Sequence, residues 1–207
     1  MSQRTIPVVN LSHFVNGDAA QRNAFVEALG KAFHEIGFVG VTGHGIPKKL
    51  IDDFYQASES FFALPNEVKS KYEIKGMAGQ RGYTSFGKEH AKQSEVPDLK
   101  EFFQIGQEVA ADDPDKAAYP DNVHVEEVPA FTQLGIDLYR AFERAGGQLL
   151  RAIAIHLELP EDYFDREIEK GNSILRAIHY PPIRKEPESA IRAEQHEDIN
   201  LITLLVG

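Results

Sequence analysis

The chain has 207 residues, 42% hydrophobic and 26% charged, with 22 Lys+Arg against 32 Asp+Glu and a formal net charge of −10. That length can bury a sizeable core unaided, and an acidic chain without a basic run is expected to bind neither nucleic acid nor anionic membrane. Because the chain has no cysteine, disulfides, thiolate zinc sites, iron–sulfur clusters and cysteine nucleophiles are all excluded.

Residues 6–11 form a short apolar run that predicts a strand. Residues 24–37 carry Phe25, Leu29, Ala32, Phe33 and Ile36 at helical spacing, with Gly37 as the stop. A strand is expected over 38–41, then a tight turn at Gly43-His44-Gly45. Pro47 opens a further helix, striped by Leu50, Ile51, Phe54, Ala57, Phe61 and Phe62. From 76 to 98, glycines among polar residues predict a long loop or ribbon, and 100–105 a short strand. Residues 106–128 are acidic and proline-bearing, and read as a connector. The strongest helical periodicity covers 129–159, where Gly146-Gly147 is expected to mark close packing. Strands are then expected over 173–180, ended by Pro181-Pro182, and over the β-branched-rich 199–206. The start has no secretory apolar region and no stretch approaches membrane-spanning length, so a cytoplasmic location is expected.

The familiar phosphate-binding and nucleophile motifs are missing: there is no GxGxxG, GxxxxGK[ST] or GxSxG. His196-Glu197 begins like a zinc-protease HExxH, but Asn200 stands where the second His is required. What remains is His196-Glu197-Asp198. On extended chain, residues i and i+2 project to one side, so His196 and Asp198 would point together with Glu197 turned away. One further His would complete a two-His-one-carboxylate set, which suits iron(II) with open positions. A surface loop entering a buried strand gives the same triplet, and the triplet alone does not separate the two.

Further segments bear on that choice. QHEDINLITLL at 195–205 resembles the iron-binding strand of the isopenicillin N synthase-like, 2-oxoglutarate- and iron(II)-dependent oxygenases. LRAIHYPP at 175–182 resembles that family's L-R-x-x-x-Y-P-P strand. AFHEIGFVGVTGHGI at 32–46 is similar to its N-terminal signature, and FFALP at 61–65 and RGY at 81–83 follow in the family's order. The resemblance runs from Ile6 to Gly207.

It implies an α+β protein with a double-stranded β-helix (jelly roll) core and flanking helices, the core incomplete in this chain. The implied divisions are an N-terminal non-haem dioxygenase region at 1–128, a long support helix and connector at 129–172, and the start of the jelly-roll core at 173–207. Fe(II) is expected at His196 and Asp198, and Tyr180 is expected to bind the cosubstrate or a substrate carboxylate. The implied reaction couples O2 and 2-oxoglutarate decarboxylation to oxidation of a small molecule. Many members carry Asn where this chain has Ile178, which leaves open an oxidase that uses iron and O2 without 2-oxoglutarate. The third iron ligand and the Arg-x-Ser that grips 2-oxoglutarate are expected beyond residue 207. By that expectation a polypeptide ending at Gly207 is inactive, and a non-catalytic homologue is the remaining alternative.

Overall fold

The computed structural model describes residues 5–77, 80–88, 99–183, 198 and 200–206. Its contacts divide the chain into two units, Met1–Pro47 with Arg140–Gly171, and Lys48–Tyr139 with Asn172–Gly207.

In the first unit, β1 (Val8–Asn10) pairs in parallel with β2 (Gly40–Thr42), Val9 opposite Val41. Parallel neighbours need a crossover, which α1 (Leu11–Asn16) and α2 (Ala19–Glu35) supply. Asn10 starts α1 by accepting the Ser12 amide at 3.0 Å. The space its side chain fills explains Gly43, where a Cβ would lie 1.9 Å from Asn10 Oδ1 and φ is +60°. α2 begins five residues earlier than its apolar spacing indicated. Asp18 and Gln21 form a reciprocal capping box there, satisfying amides that apolar periodicity does not report. Gly37, at φ +80°, closes the helix with its amide on Ala32 and Phe33 carbonyls, as expected of a glycine stop. Phe25, Leu29 and Ala32 of α2 are buried, and Phe25 packs on Phe14 with ring centroids 5.7 Å apart.

The second unit holds α3 (Lys48–Phe62), the short α4 (Asn66–Lys69) and an antiparallel sheet ordered β3-β4-β5, from Gly82–Thr84, Glu101–Gly106 and Ile174–His179. The long helix α5 (Ala130–His156) begins in this unit and ends in the first, running unbroken through Gly146-Gly147. A Cβ on Gly147 would be in ordinary contact with Ile168 at 3.6 Å, so no close approach is needed there. α6 (Asp165–Ile168) follows, with Asp165 paired to Arg151 at 2.7 Å.

The packing centre of the second unit is Phe61, fully buried on α3. Its ring stacks on Phe131 of α5 at 5.0 Å and meets Phe103 of β4 edge-on at 5.1 Å. Such aromatic contacts add specific geometry to their area burial. β4 is buried at all six positions and has a strand on each edge. Packing is tightest at its last residue. Arg81, 1% exposed, lays its guanidinium where a Gly106 Cβ would stand, 1.9 Å from Arg81 Cζ. Gly106→Ala is expected to destabilise the protein by about 1–3 kcal/mol through overpacking. Urea denaturation measures it, and an unchanged midpoint would mean that Arg81 moves aside freely.

The acidic connector is pinned rather than loose. Asn122 brackets Gly106 with two 2.9 Å bonds, to its amide and its carbonyl, and Thr132 of α5 donates to the Val123 carbonyl at 2.9 Å.

The structure departs from the sequence expectation at further places. α1, α4 and α6 lie in stretches given no element, and β2 begins two residues later than expected. Within the stretch read as a loop or ribbon, β3 forms a strand; only three residues long and starting at a glycine with φ +75°, it is held by antiparallel pairing with β4. The strand expected over 199–206 is not formed among residues 200–206. A strand exists through its ladder, and none of the described strands pairs with this segment. Leu201 and Leu205 are 56% and 85% exposed, while Tyr55 donates to the Val206 carbonyl at 2.7 Å. Among the described residues no helix is long and apolar enough to cross a membrane.

Candidate active site

β5 fixes where Tyr180 stands. Its full six-residue register against β4, from Glu101 opposite His179 to Gly106 opposite Ile174, sets which side chains share a face. Alternation puts Leu175, Ala177 and His179 with Phe103 and Glu101, on the face that meets Phe61. Arg176 and Ile178 take the other face. Tyr180 follows the last residue of the strand, is half-buried, and is succeeded by Pro181 and Pro182, which cannot donate to a ladder.

Asp198 is exposed and accepts a 2.5 Å hydrogen bond at Oδ2 from Thr203 Oγ1. Asn200 Nδ2 donates to Thr203 Oγ1 at 2.8 Å and to the Ile202 carbonyl at 2.7 Å. With its hydroxyl proton directed to Asp198 and its lone pair receiving Asn200, Thr203 steadies one oxygen of the carboxylate. Partners of this kind orient metal-binding carboxylates. Sequence reasoning did not single out Thr203; a hydroxyl five residues past a candidate carboxylate is a weak signal when the intervening turn is unknown. His196 and Glu197 lie outside the described residues, and with them the expected extended geometry of the triplet. Among the described residues, no group of three or more His, Cys, Asp or Glu could hold a metal ion.

A second polar cluster underlies β5 on its opposite face. Glu101 of β4 is 4% exposed and Lys69 of α4 is 4% exposed. Lys69 Nζ meets Glu101 Oε2 at 2.7 Å, Tyr83 donates to the same oxygen, and His179 Nδ1 lies 2.8 Å from Oε1. The His179 ring also stacks on Phe62 at 5.1 Å. Burial pushes the Glu101 carboxyl up, but hydrogen bonds from Lys69, Tyr83 and His179 together hold it below its ordinary value. Burial, together with its bond to Glu101, raises the Tyr83 phenol. The cluster ties α4, β3, β4 and the last residue of β5 together, immediately before Tyr180. The available signal was one carboxylate inside the apolar run at 101–105.

Residues 6–127, more than half of the chain, match the family described as "non-haem dioxygenase in morphine synthesis N-terminal". The chain belongs to this non-haem dioxygenase family. It is 28% identical over 215 residues to the 2-oxoglutarate-Fe(II) type oxidoreductase hxnY of Emericella nidulans, a match covering 100% of this chain and 62% of that protein. Among solved structures it resembles a 2OG-Fe(II) oxygenase family protein of Caulobacter crescentus, with TM-score 0.80 and 38% identity over 95% of this chain and 62% of the other. It also resembles a full-length Neurospora crassa protein solved in complex with alpha-KG, with TM-score 0.77 and 26% identity over 93% and 61% of the two chains. This dioxygenase-family chain thus spans about three-fifths of the length of the relatives it matches.

Proposed function

We propose that this protein is an iron(II)- and 2-oxoglutarate-dependent oxygenase that oxidises a small molecule. The reading is carried by the likeness to 2-oxoglutarate-Fe(II) enzymes over nearly the whole chain, joined to the Asp198 carboxylate steadied by Thr203. The donor types fit the metal: an imidazole and a carboxylate two residues apart are borderline and hard ligands that iron(II) accepts. His196 and Asp198 would hold it, and when bound it would activate O2 against 2-oxoglutarate. Tyr180 would donate its phenol proton to a carboxylate of the cosubstrate or of the substrate. In this reading residues 173–207 begin a jelly-roll core, 129–172 support it, and 1–128 form the family's N-terminal region.

The test uses the protein as encoded, supplied with Fe(II), 2-oxoglutarate and O2. Iron-dependent succinate release that a chelator stops is the expected result. A preparation that binds iron and consumes no 2-oxoglutarate, with or without candidate substrates, would overturn the reading. In the same assay Tyr180→Phe is expected to raise the KM for 2-oxoglutarate or for the substrate about ten- to a hundredfold, the effect of losing one charge-assisted hydrogen bond. If neither constant moves, Tyr180 serves packing alone.

A further inference from the structure

Tyr180 stands one residue past β5, whose pairing with β4 ends at His179. The residues on either side then set the path of its backbone. After it, Pro181 and Pro182 have a locked φ, and a residue before a proline is confined to extended conformations. Before it, His179 is held in a closed circuit of contacts. Its Nδ1 lies 2.8 Å from Glu101 Oε1. The cluster holds the Glu101 carboxyl below its ordinary value and so ionised; a carboxylate only accepts, so Nδ1 carries the proton. Glu101 Oε2 takes Lys69 Nζ at 2.7 Å and the Tyr83 hydroxyl. Both carboxylate oxygens are therefore engaged, and the group has no freedom to swing away. Lys69 Nζ also donates to the Phe62 carbonyl at 3.2 Å, and the Phe62 ring closes the circuit by stacking on His179 at 5.1 Å.

The partners of His179 are buried, Glu101 and Lys69 at 4% exposure and Phe62 at 8%, whereas the His179 side chain is 37% exposed. An apolar residue would cover Phe62 equally well. What the imidazole adds is a directional bond from the last residue of the strand to a fixed, buried carboxylate. We propose that His179 is the positioning residue of Tyr180: held by Glu101 and Phe62, it fixes the end of β5 and with it the residue that follows. Its consequence for turnover rests on the carboxylate-binding reading of Tyr180 above, since displacing a contacting group by about 1 Å can cost on the order of a hundredfold in rate.

The seven tyrosines of the protein as encoded are replaced by 3-fluorotyrosine and read by fluorine NMR, the Tyr180 line being assigned by its loss in Tyr180→Phe. Wild type should give one narrow Tyr180 line. His179→Phe keeps a ring beside Phe62 and removes the bond to Glu101. Its Tyr180 line should split, or broaden about twofold or more through exchange between orientations on the μs–ms scale. His179→Asn puts an amide N–H near the Nδ1 position and should restore the narrow line. If His179→Phe does not fold, as read by circular dichroism, His179→Ala takes its place. A broad line already in wild type, a single narrow line in His179→Phe, equal broadening in His179→Asn, or broadening spread over tyrosines outside the cluster would each overturn the proposal. Kinetics separates it from the reading of Tyr180. The KM for 2-oxoglutarate, followed by succinate release, should rise about tenfold in His179→Phe, and the double variant with Tyr180→Phe should be no worse than Tyr180→Phe alone. A rise in Tyr180→Phe with none in His179→Phe, or effects that multiply in the double variant, would sink the inference. A broadened line with the constant unmoved in both single variants leaves the positioning intact and removes 2-oxoglutarate as the partner of Tyr180.

Discussion

Asp198→Ala and His196→Ala, each made in the protein as encoded, are expected to reduce 2-oxoglutarate turnover to background and to lower bound iron well below one equivalent. Each removes a whole donor from a site that has few. Thr203→Val should behave differently. It keeps the carboxylate and removes the 2.5 Å bond that steadies it, a loss that costs about ten- to a hundredfold in metal affinity when an orienting partner goes. Raising the iron concentration should therefore restore turnover in Thr203→Val and not in Asp198→Ala. Metal analysis after gel filtration, together with succinate release across an iron titration, reads both effects. Full iron content and full turnover in Asp198→Ala would remove the residue from the site.

The elements legible in the sequence were those whose burial follows a single period. α2, α3 and α5 each show an apolar stripe, and β4 and β5 are apolar runs bounded by turn residues. β3 could be read only as a ribbon alternative to a loop, without a position, because three residues carry too little pattern and its pairing partner lies about twenty residues away in sequence. The segment 200–206 shows the converse. Its composition is that of a strand, yet composition supplies no ladder partner, and among the described residues none pairs with it. For the site, the family motifs pointed to Tyr180, His196 and Asp198. The Thr203 bond to Asp198 came only with the local fold of 200–206, and the Glu101–His179 contact only with the antiparallel pairing of two strands some seventy residues apart.

Removing either member of the Lys69–Glu101 pair is expected to cost about 3–5 kcal/mol, because the survivor is left as an uncompensated buried charge. The two side chains are each 5% exposed, too buried for water to take the missing partner's place. Lys69→Ala leaves Glu101 with the hydrogen bonds from Tyr83 and His179. Glu101→Ala strands the ammonium with the Phe62 carbonyl at 3.2 Å, and should be the costlier change. The triple variant Lys69→Met, Glu101→Leu, Tyr83→Phe removes the charges and the phenol together. It should lose far less than the single changes summed, since the groups that lose a partner are neutral, the Phe62 carbonyl and the partly exposed His179 ring, and no buried charge is left. Urea denaturation measures all of these, and a single-variant loss below about 1 kcal/mol would place the pair among ordinary surface ion pairs. The pH dependence gives an independent reading. The folded Glu101 carboxyl sits below its ordinary value of 4.5, so its contribution is present above that pH and is lost as pH falls through the folded value. Wild type should therefore show a steeper acid decline in stability than the triple variant, in which no carboxyl remains at position 101 to take up the proton.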